Sequence, residues 1–203
     1  MRAARRWLGI AVLAFAPLWL AACQDPAHQP VVGVQNRLPD LRFSLQSADK
    51  PVTERDVAGR IALVFFGYAN CPDVCPTTMA HLTQVRRSLG PAGDDVRILF
   101  ISVDPHRDTP EMLAAYVRAF DDEQALGLAG TPRQIQDLAR RYRVSFQISE
   151  PANPGDTNYE VSHSKGVFVF DRKGAARYLV TDIDAPGSTS ELARVLGQLA
   201  AET

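Results

Sequence analysis

The sequence has little cysteine and no excess charge of either sign. Its 203 residues include 3 cysteines, and 22 lysines and arginines nearly balance 23 aspartates and glutamates, for a net charge of −1. No basic stripe interleaved with aromatic residues occurs, so the electrostatic footprint of a nucleic-acid-binding protein is missing. The composition, 46% hydrophobic and 22% charged, excludes a disordered chain and a multi-span membrane protein. A single globular domain of ordinary size is predicted.

The N-terminal apolar run is too short to be an ordinary membrane span. The run Trp7–Leu20 falls short of the roughly 20 residues that a spanning helix needs. Three arginines precede it and small residues follow it, as in an export signal with a cleavage site. We therefore predict that residues 1–22 are a signal peptide and that the rest of the chain lies outside the cytoplasm. An uncleaved signal anchor is the alternative.

The end of this run, "LAAC" at Leu20–Cys23, resembles the bacterial lipobox. The resemblance implies that Cys23 is lipidated and anchors the mature protein in the cell membrane, on its periplasmic or other extracytoplasmic face. Residues 23–37 are polar and contain two prolines, which is typical of a tether between a lipid and a domain. His28 lies in this stretch and is predicted to be a solvated tether residue.

Strand and helix signals alternate along the rest of the chain. The apolar runs Ile61–Phe66 and Val96–Asp104 are predicted to be buried central strands, each followed by a helix. Thr109 and Thr131, each with proline directly after it, are predicted helix N-caps. The turn residues Asp171–Gly174 separate two apolar runs, which predicts a β-hairpin, and a capped amphipathic helix ends the chain.

This order of elements predicts an α/β thioredoxin-like fold for residues 38–203. A central mixed sheet would be flanked by helices, with an inserted helix and loop and with the hairpin and last helix at the C terminus. The right-handed crossover rule places Cys71 and Cys75 at the carboxyl end of the first central strand, against the start of a helix. Open α/β sheets bind their ligands at this edge.

The two cysteines of "NCPDVCP" are separated by three residues, one more than in a thiol-exchange motif. A helix N terminus lowers the pKa of a thiol, so at least one of Cys71 and Cys75 is expected to be reactive. On one helical turn their Cβ atoms would lie roughly 5 to 6 Å apart, beyond the ~3.5 to 4.5 Å that a disulfide prefers. The spacing favours two thiolates around a metal ion, and a relaxed loop leaves a Cys71–Cys75 disulfide open. Two soft thiolates suit Cu(I), whereas structural zinc normally takes four N or S ligands.

A third ligand is sought among the four histidines. His81 and His106 are predicted to be surface residues. His163 is the best candidate, because it is predicted at the start of the hairpin, which returns beside the ligand-binding edge. Spacing alone leaves open that His163 is a core histidine.

Four other residues are predicted to lie near the two cysteines, and each has an expected role. Tyr68 is expected to form a wall of the site, and Met79 is expected in the core because it shares the helical phase of its apolar neighbours. Asp104 is predicted to form a turn in preference to contacting the site. Asp73 is equally well explained as a solvated carboxylate and as a group that tunes the thiolates.

Three segments together resemble the Sco/SenC family of copper-binding thioredoxin-fold proteins: "FGYANCPDVCPTTM", "ISVDPHRDTPEMLAAYVRAF" and "YEVSHSKGVFVFDRKG". The resemblance covers residues 38–181. It implies that Cys71, Cys75 and His163 bind one copper ion, as Cu(I) or Cu(II), and that the protein helps to assemble the copper A centre of cytochrome c oxidase. The family usually has aspartate directly before the histidine, where this chain has Ser162, so the tuning of Cu(II) binding is less certain than the ligands.

The leading hypothesis is a membrane-tethered copper metallochaperone, not an enzyme, that passes copper to the copper A subunit of the oxidase. A monomer is predicted, with other copper chaperones or thiol reductants as further partners. The alternative is a thiol-disulfide oxidoreductase, in which Cys71 and Cys75 form a catalytic redox pair that reduces the copper-site cysteines of the oxidase. A copper or redox sensor would differ only in its partner. A peroxidase is a weaker hypothesis, because "NCPDVCP" lacks the setting of a peroxide-attacking cysteine.

Overall fold

The computed structural model describes residues 29–121, 123–150 and 159–202. The predicted signal peptide, Cys23 and His28 lie outside the described residues, and the export signal and lipid anchor therefore stay predictions. Among the described residues, no helix is both long and apolar enough to cross a membrane.

The described chain alternates strands and helices. The strands are β1 (Val31–Gly33), β2 (Ser44–Gln46), β3 (Pro51–Thr53), β4 (Ile61–Gly67), β5 (Val96–Ser102), β6 (Ala125–Leu128), β7 (Phe146–Ile148), β8 (Val161–His163), β9 (Val167–Phe170) and β10 (Ala176–Val180). The α-helices are α1 (Val74–Ser88), α2 (Pro110–Arg118), α3 (Pro132–Tyr142) and α4 (Ser188–Ala201), and the 3₁₀ turns are Glu54–Val57 and Gly90–Asp95.

A six-stranded mixed sheet forms the centre of the molecule, in the order β1-β10-β9-β4-β5-β6. β4, β5 and β6 are parallel, and β9 joins β4 in the antiparallel direction. All seven residues of β4 are buried, as expected for a central strand covered on both faces. The predicted α/β thioredoxin-like fold, with its terminal β9–β10 hairpin and α4, is confirmed.

The first strand corrects the predicted boundary of the tether. β1 pairs antiparallel with β10, and Val31 is buried in the core. Two further backbone bonds flank the pairing, from Val34 N–H to the Arg177 carbonyl and from Thr181 N–H to the Pro30 carbonyl. Polar composition suggested a tether through residue 37, but a three-residue edge strand needs only one buried side chain and so gives almost no sequence signal. The folded domain therefore begins by residue 30.

The helix starts follow the predicted capping chemistry. The Thr109 side chain accepts a hydrogen bond from Met112 N–H at α2, and Thr131 forms a capping box with Gln134 at α3. α1 begins at Val74, so Cys75 lies in its first turn while Cys71 stays in the preceding loop. The two cysteines therefore do not span a full helical turn.

His163 is placed differently from the prediction. It ends β8, which pairs with β7 in a separate two-stranded ribbon, with Phe146 opposite His163. The hairpin β9–β10 begins only at Val167. A three-residue strand next to a polar insert carries too little periodicity to be seen in the sequence. The ribbon nevertheless brings His163 to the edge at which β4 ends.

Candidate metal centre

Three soft or borderline donors converge at the carboxyl end of β4. The sulfur atoms of Cys71 and Cys75 and a ring nitrogen of His163 all lie within 4.8 Å of one another. In the described part of the chain, this is the only group of three or more His, Cys, Asp or Glu side chains with that geometry. The donors come from the β4–α1 loop, the first turn of α1 and the end of β8, so the fold assembles the group from distant segments.

Gly67, the last residue of β4, makes room for Cys75. A Cβ atom at Gly67 would lie 2.8 Å from the Cys75 sulfur and 2.8 Å from Cε2 of Phe100, closer than side chains tolerate. Only glycine allows this approach. As a result Cys75 is fully buried against the strand, while Cys71 is half-buried at the surface of the site.

The loop geometry turns Cys71 towards the helix start. The Cys75 backbone N–H, one of the free donors in the first turn of α1, donates to the Cys71 sulfur at 3.4 Å. Asp73, the N-cap residue, makes no side-chain capping bond and is exposed. The sulfur of Cys71 thus occupies the place of a capping acceptor.

Burial reverses the expected effect of the helix on Cys75. The thiol lies in a desolvated position, which raises the pKa of Cys75, and a hydrogen bond with the Tyr68 backbone only partly opposes the shift. At least one of the two thiols is expected to be reactive, and Cys75 does not meet this expectation, because desolvation raises its pKa. Cys75 is a thiol at neutral pH and must release a proton when it binds a metal ion.

His163 presents a lone pair to the sulfur atoms. Its Nδ1 lies 3.1 Å from the Ser164 carbonyl oxygen, and its Nε2 lies 3.3 Å from the Cys75 sulfur. A carbonyl oxygen can only accept a hydrogen bond, so Nδ1 carries the hydrogen. Nε2 therefore has the lone pair that can bind a metal ion. Burial lowers the pKa of His163, despite the opposing bond to Ser164, and the neutral ring is the form that binds metals.

Ser162, the departure from the usual family pattern, points away from the donors. Its side chain is exposed, whereas His163 is half-buried, as expected for neighbouring residues that face opposite sides of a strand. The Ser164 carbonyl orients the imidazole here. A carboxylate at position 162 is therefore not needed to fix the ring.

Aromatic rings enclose the imidazole. The Phe65 and Tyr68 rings each lie 5.8 Å from the His163 ring, centroid to centroid, in edge-to-face arrangements. Tyr68 is therefore a wall of the site, as predicted. A cavity of about 540 Å³ opens beside these residues, lined by Tyr68, Asn70, Pro72, Arg107, Tyr159, Glu160 and Val161.

Two polar residues near the site, Arg107 and Asp108, were not predicted from the sequence. Asp108 is only 3% exposed, and its Oδ2 accepts hydrogen bonds from Ala69 N–H at 3.0 Å and from the Ser102 hydroxyl at 2.6 Å. Arg107 packs on Tyr159 and pairs with Asp104. The only sequence signal was their position in the loop after a central strand, at the ligand-binding edge.

The remaining predictions are partly met. Asp104 does form a turn, since its carbonyl accepts from the N–H groups of Arg107 and Asp108, but its buried carboxylate also contacts Arg107 and Tyr159. Met79 is fully buried, as predicted. His106 is exposed, whereas His81 is half-buried with Nδ1 3.1 Å from Asp184.

Comparison with known proteins agrees with this geometry. The family model described as SCO1/SenC matches residues 35–200. Protein SenC of Rhodobacter capsulatus is 40% identical over 122 residues, 60% of this chain and 53% of that protein. The chain thus spans little more than half the length of such curated relatives.

Solved structures with the same architecture include a copper-bound protein. ScoI of Bradyrhizobium japonicum with copper bound is 34% identical, with a TM-score of 0.67 over 79% of this chain and 98% of that one. Apo Sco1 of Thermus thermophilus is also 34% identical, with a TM-score of 0.69 over 83% and 95%. On the family match, the sequence identity and the shared fold, this chain belongs to the SCO1/SenC family.

Proposed function

We propose that this protein is a copper metallochaperone that holds one copper ion through the sulfur atoms of Cys71 and Cys75 and Nε2 of His163. The convergence of the three donors within 4.8 Å carries the proposal. Thiolates and imidazole are ligands that suit copper, and three donors leave the ion open to an incoming ligand. The similarity to ScoI with copper bound supports this metal.

The recipient we propose is the copper A subunit of cytochrome c oxidase, which the family resemblance implies. Transfer would proceed by ligand exchange, because an incoming thiol or imidazole can reach the ion before all three donors have left. Half-buried Cys71 borders the open side of the site, while Cys75 is buried beneath it. Cys71 would therefore leave the ion early, and Cys75 would regain its proton when the ion departs.

We also propose that the protein works at a membrane, anchored by a lipid on Cys23 after removal of residues 1–22. The support is the signal-like N terminus and the lipobox-like "LAAC". Residues 24–30 separate Cys23 from β1, and a chain of that length extends at most roughly 25 Å. The folded domain would thus stay close to the extracytoplasmic membrane surface.

The decisive experiment is copper titration of the reduced protein, with Cys23→Ser so that only the site thiols remain. The Cys23→Ser protein with His163 intact is expected to bind one copper ion and to show a Cu(II)–thiolate charge-transfer band. His163→Ala should shift or abolish that band, whereas His106→Ala, which removes an exposed histidine, should leave it unchanged. Failure to bind one copper, or an unchanged band in His163→Ala, would refute the site.

A thiol-disulfide oxidoreductase is a second candidate, favoured by the unequal exposure of two thiols that lie within 4.8 Å of each other. A more exposed Cys71 could attack a partner disulfide, and buried Cys75 could resolve the mixed disulfide. An exchange assay on a cysteine-bearing peptide, with and without His163, separates the two functions. Exchange that depends on His163 and on copper argues against pure redox catalysis.

A further inference from the structure

β8 carries His163 but is weakly held by its own pairing. It is three residues long and pairs with the equally short β7 in a ribbon separate from the main sheet, with one further backbone bond at each end, from Ser149 N–H to the Glu160 carbonyl and from Ser164 N–H to the Ser145 carbonyl. Two-stranded ribbons are marginally stable by themselves. The position of His163 over the cysteines therefore depends on contacts outside the ribbon.

Val161 of β8 packs in the core, and a further set of contacts lies two residues before β8, in a group that we call the Tyr159 cluster: Asp104, Arg107 and Tyr159. The Tyr159 hydroxyl donates to Oδ1 of Asp104 at 2.6 Å, and Arg107 Nε donates to Oδ2 of the same carboxylate. Arg107 Nη1 also donates to the Tyr159 carbonyl oxygen at 3.1 Å. The chain entering β8 is thus bonded through both its side chain and its backbone.

The Arg107 guanidinium of the cluster also lies against two aromatic rings. The Arg107 guanidinium carbon lies 3.8 Å from the centre of the Tyr159 ring and 5.7 Å from the centre of the Tyr68 ring. Tyr68 begins the cysteine loop and packs edge-to-face on His163. The cluster therefore joins three segments: the loop that carries Cys71, the β5–α2 loop and the start of β8.

The carboxylate at the centre of the cluster is rigidly placed. Asp104 is fully buried, and the Arg107 side chain is only 10% exposed. Charge-assisted hydrogen bonds in such surroundings are stronger than neutral ones. Asp104 is anchored to the end of β5 by its backbone N–H, which donates to the Ser102 hydroxyl at 3.0 Å.

We propose that Tyr159 is a positioning residue, which through Asp104 and Arg107 holds β8 closed over Cys75 and so keeps His163 on the copper ion. Opening of the cluster moves His163 away and leaves the ion on the two thiolates alone. The stability of the closed Tyr159 cluster thereby sets how fast copper is released. This inference deepens the proposed function and rests on it for the copper measurements, but the closing of β8 over Cys75 does not require copper.

The first test uses reduced protein without copper. Cys75 is fully buried and touches His163, so iodoacetamide can reach its sulfur only when the site opens, and displacement of β8 is the opening that Tyr159 is proposed to resist. Tyr159→Phe removes the hydroxyl and keeps the ring on Arg107, and it should raise the initial alkylation rate of Cys75 by about ten- to a hundredfold, the usual range for one hydrogen bond to a charged group. Tyr159→Leu, which also removes the ring, should raise it further.

The controls separate local opening from a general loss of stability. Tyr178→Phe removes a hydroxyl from a half-buried tyrosine on β10, outside the cluster, and should leave the Cys75 rate unchanged. The increased rate in Tyr159→Phe should be nearly independent of low urea concentrations, because local opening exposes little surface whereas global unfolding exposes much. Mass spectrometry distinguishes alkylation at Cys75 from alkylation at Cys71.

The second test measures copper release to a chelator from the loaded protein. Tyr159→Phe should release copper about ten- to a hundredfold faster with unchanged stoichiometry, and its Cu(II) band should move towards that of His163→Ala. Wild-type rates for both alkylation and release in Tyr159→Phe would overturn the inference. A wild-type protein that binds no copper would instead overturn the proposed function, and the alkylation result would still decide the role of Tyr159.

Discussion

Asp108 ties the cysteine loop to the neighbouring strand through a single buried oxygen. Its Oδ2 accepts from Ala69, two residues before Cys71, and from Ser102 at the end of β5. Burial raises the pKa of Asp108, although both hydrogen bonds oppose the shift. Asp108 thus positions the cysteine loop, and its surroundings favour the protonated carboxyl over the ionised one.

We predict a pH-dependent effect for Asp108→Asn. The folded-state pKa is raised, so the folded protein binds more protons than the unfolded chain once the pH passes the unfolded value of about 3.9. The wild-type protein therefore loses stability as the pH rises through the folded-state pKa, and Asp108→Asn does not. Urea unfolding of the apo protein should show the variant gaining on the wild type from pH 4 to pH 7.

The matched controls for this prediction are Asp108→Ala and Asp49→Asn. Alanine removes both acceptor contacts and should cost about 1 to 3 kcal/mol at pH 4, and because it also removes the titrating carboxyl its cost relative to the wild type should fall as the pH rises, in parallel with Asp108→Asn. Asp49 is exposed, and its replacement should change stability little. If Asp108→Asn parallels the wild type across the whole pH range, the carboxyl group is not held in an unfavourable ionised state.

The three proposed copper ligands could be named from the sequence, but the residues that support them could not. Cys71, Cys75 and His163 are residue types that bind copper, so their chemistry is visible in the sequence itself. Asp108 acts on a residue 39 positions away, and Tyr159 acts on one 55 positions away. Aspartate and tyrosine are common in loops, and only the folded chain shows which of them meet.

Glycine has opposite roles in two elements of this fold. Gly67 ends β4 under the Cys75 sulfur, where a Cβ atom would clash, while Gly197 lies exposed on α4 with no heavy atom within 4 Å of a built Cβ. In β4 the missing side chain is a packing requirement. In α4 it only adds backbone freedom to the unfolded chain.

We therefore predict opposite effects of the same substitution. Gly67→Ala should destabilise the protein by about 1 to 3 kcal/mol through overpacking and should displace Cys75, lowering copper affinity. Gly197→Ala should stabilise it by about 0.5 to 1 kcal/mol and leave copper binding unchanged. Urea unfolding and copper titration of both variants make the comparison, and a harmless Gly67→Ala would contradict the close packing of Cys75.

Apolar runs with clear boundary residues decided which elements the sequence predicted. Long apolar runs and proline-bearing caps gave β4, β5, α2 and α3 their correct places. The strands β1, β6 and β8 have three or four residues, and their β-structure depends on partners elsewhere in the chain. Since His163 lies on such a strand, its approach to the cysteines followed from the family resemblance rather than from its local sequence.

At the scale of the whole molecule, β1 closes the sheet beside β10. Val31 and Val34 are each 7% exposed, and both lie in the stretch that composition assigned to the tether. This strand shortens the link between the predicted lipid anchor and the folded domain. If the proposed anchor on Cys23 is present, residues 24–30 form the whole link to the folded domain.

Truncation tests where the domain begins. A chain that starts at Gln29 keeps Pro30 and all of β1, and we expect it to be as stable as one that starts at Gln24. A chain that starts at Gln35 loses β1, exposes the edge of β10 and gives up the burial of two valines, each worth about 1.5 to 3 kcal/mol. We expect its free energy of urea unfolding to fall by about 3 kcal/mol or more. Equal stability of the chains starting at Gln29 and Gln35 would instead support a tether that extends to residue 37.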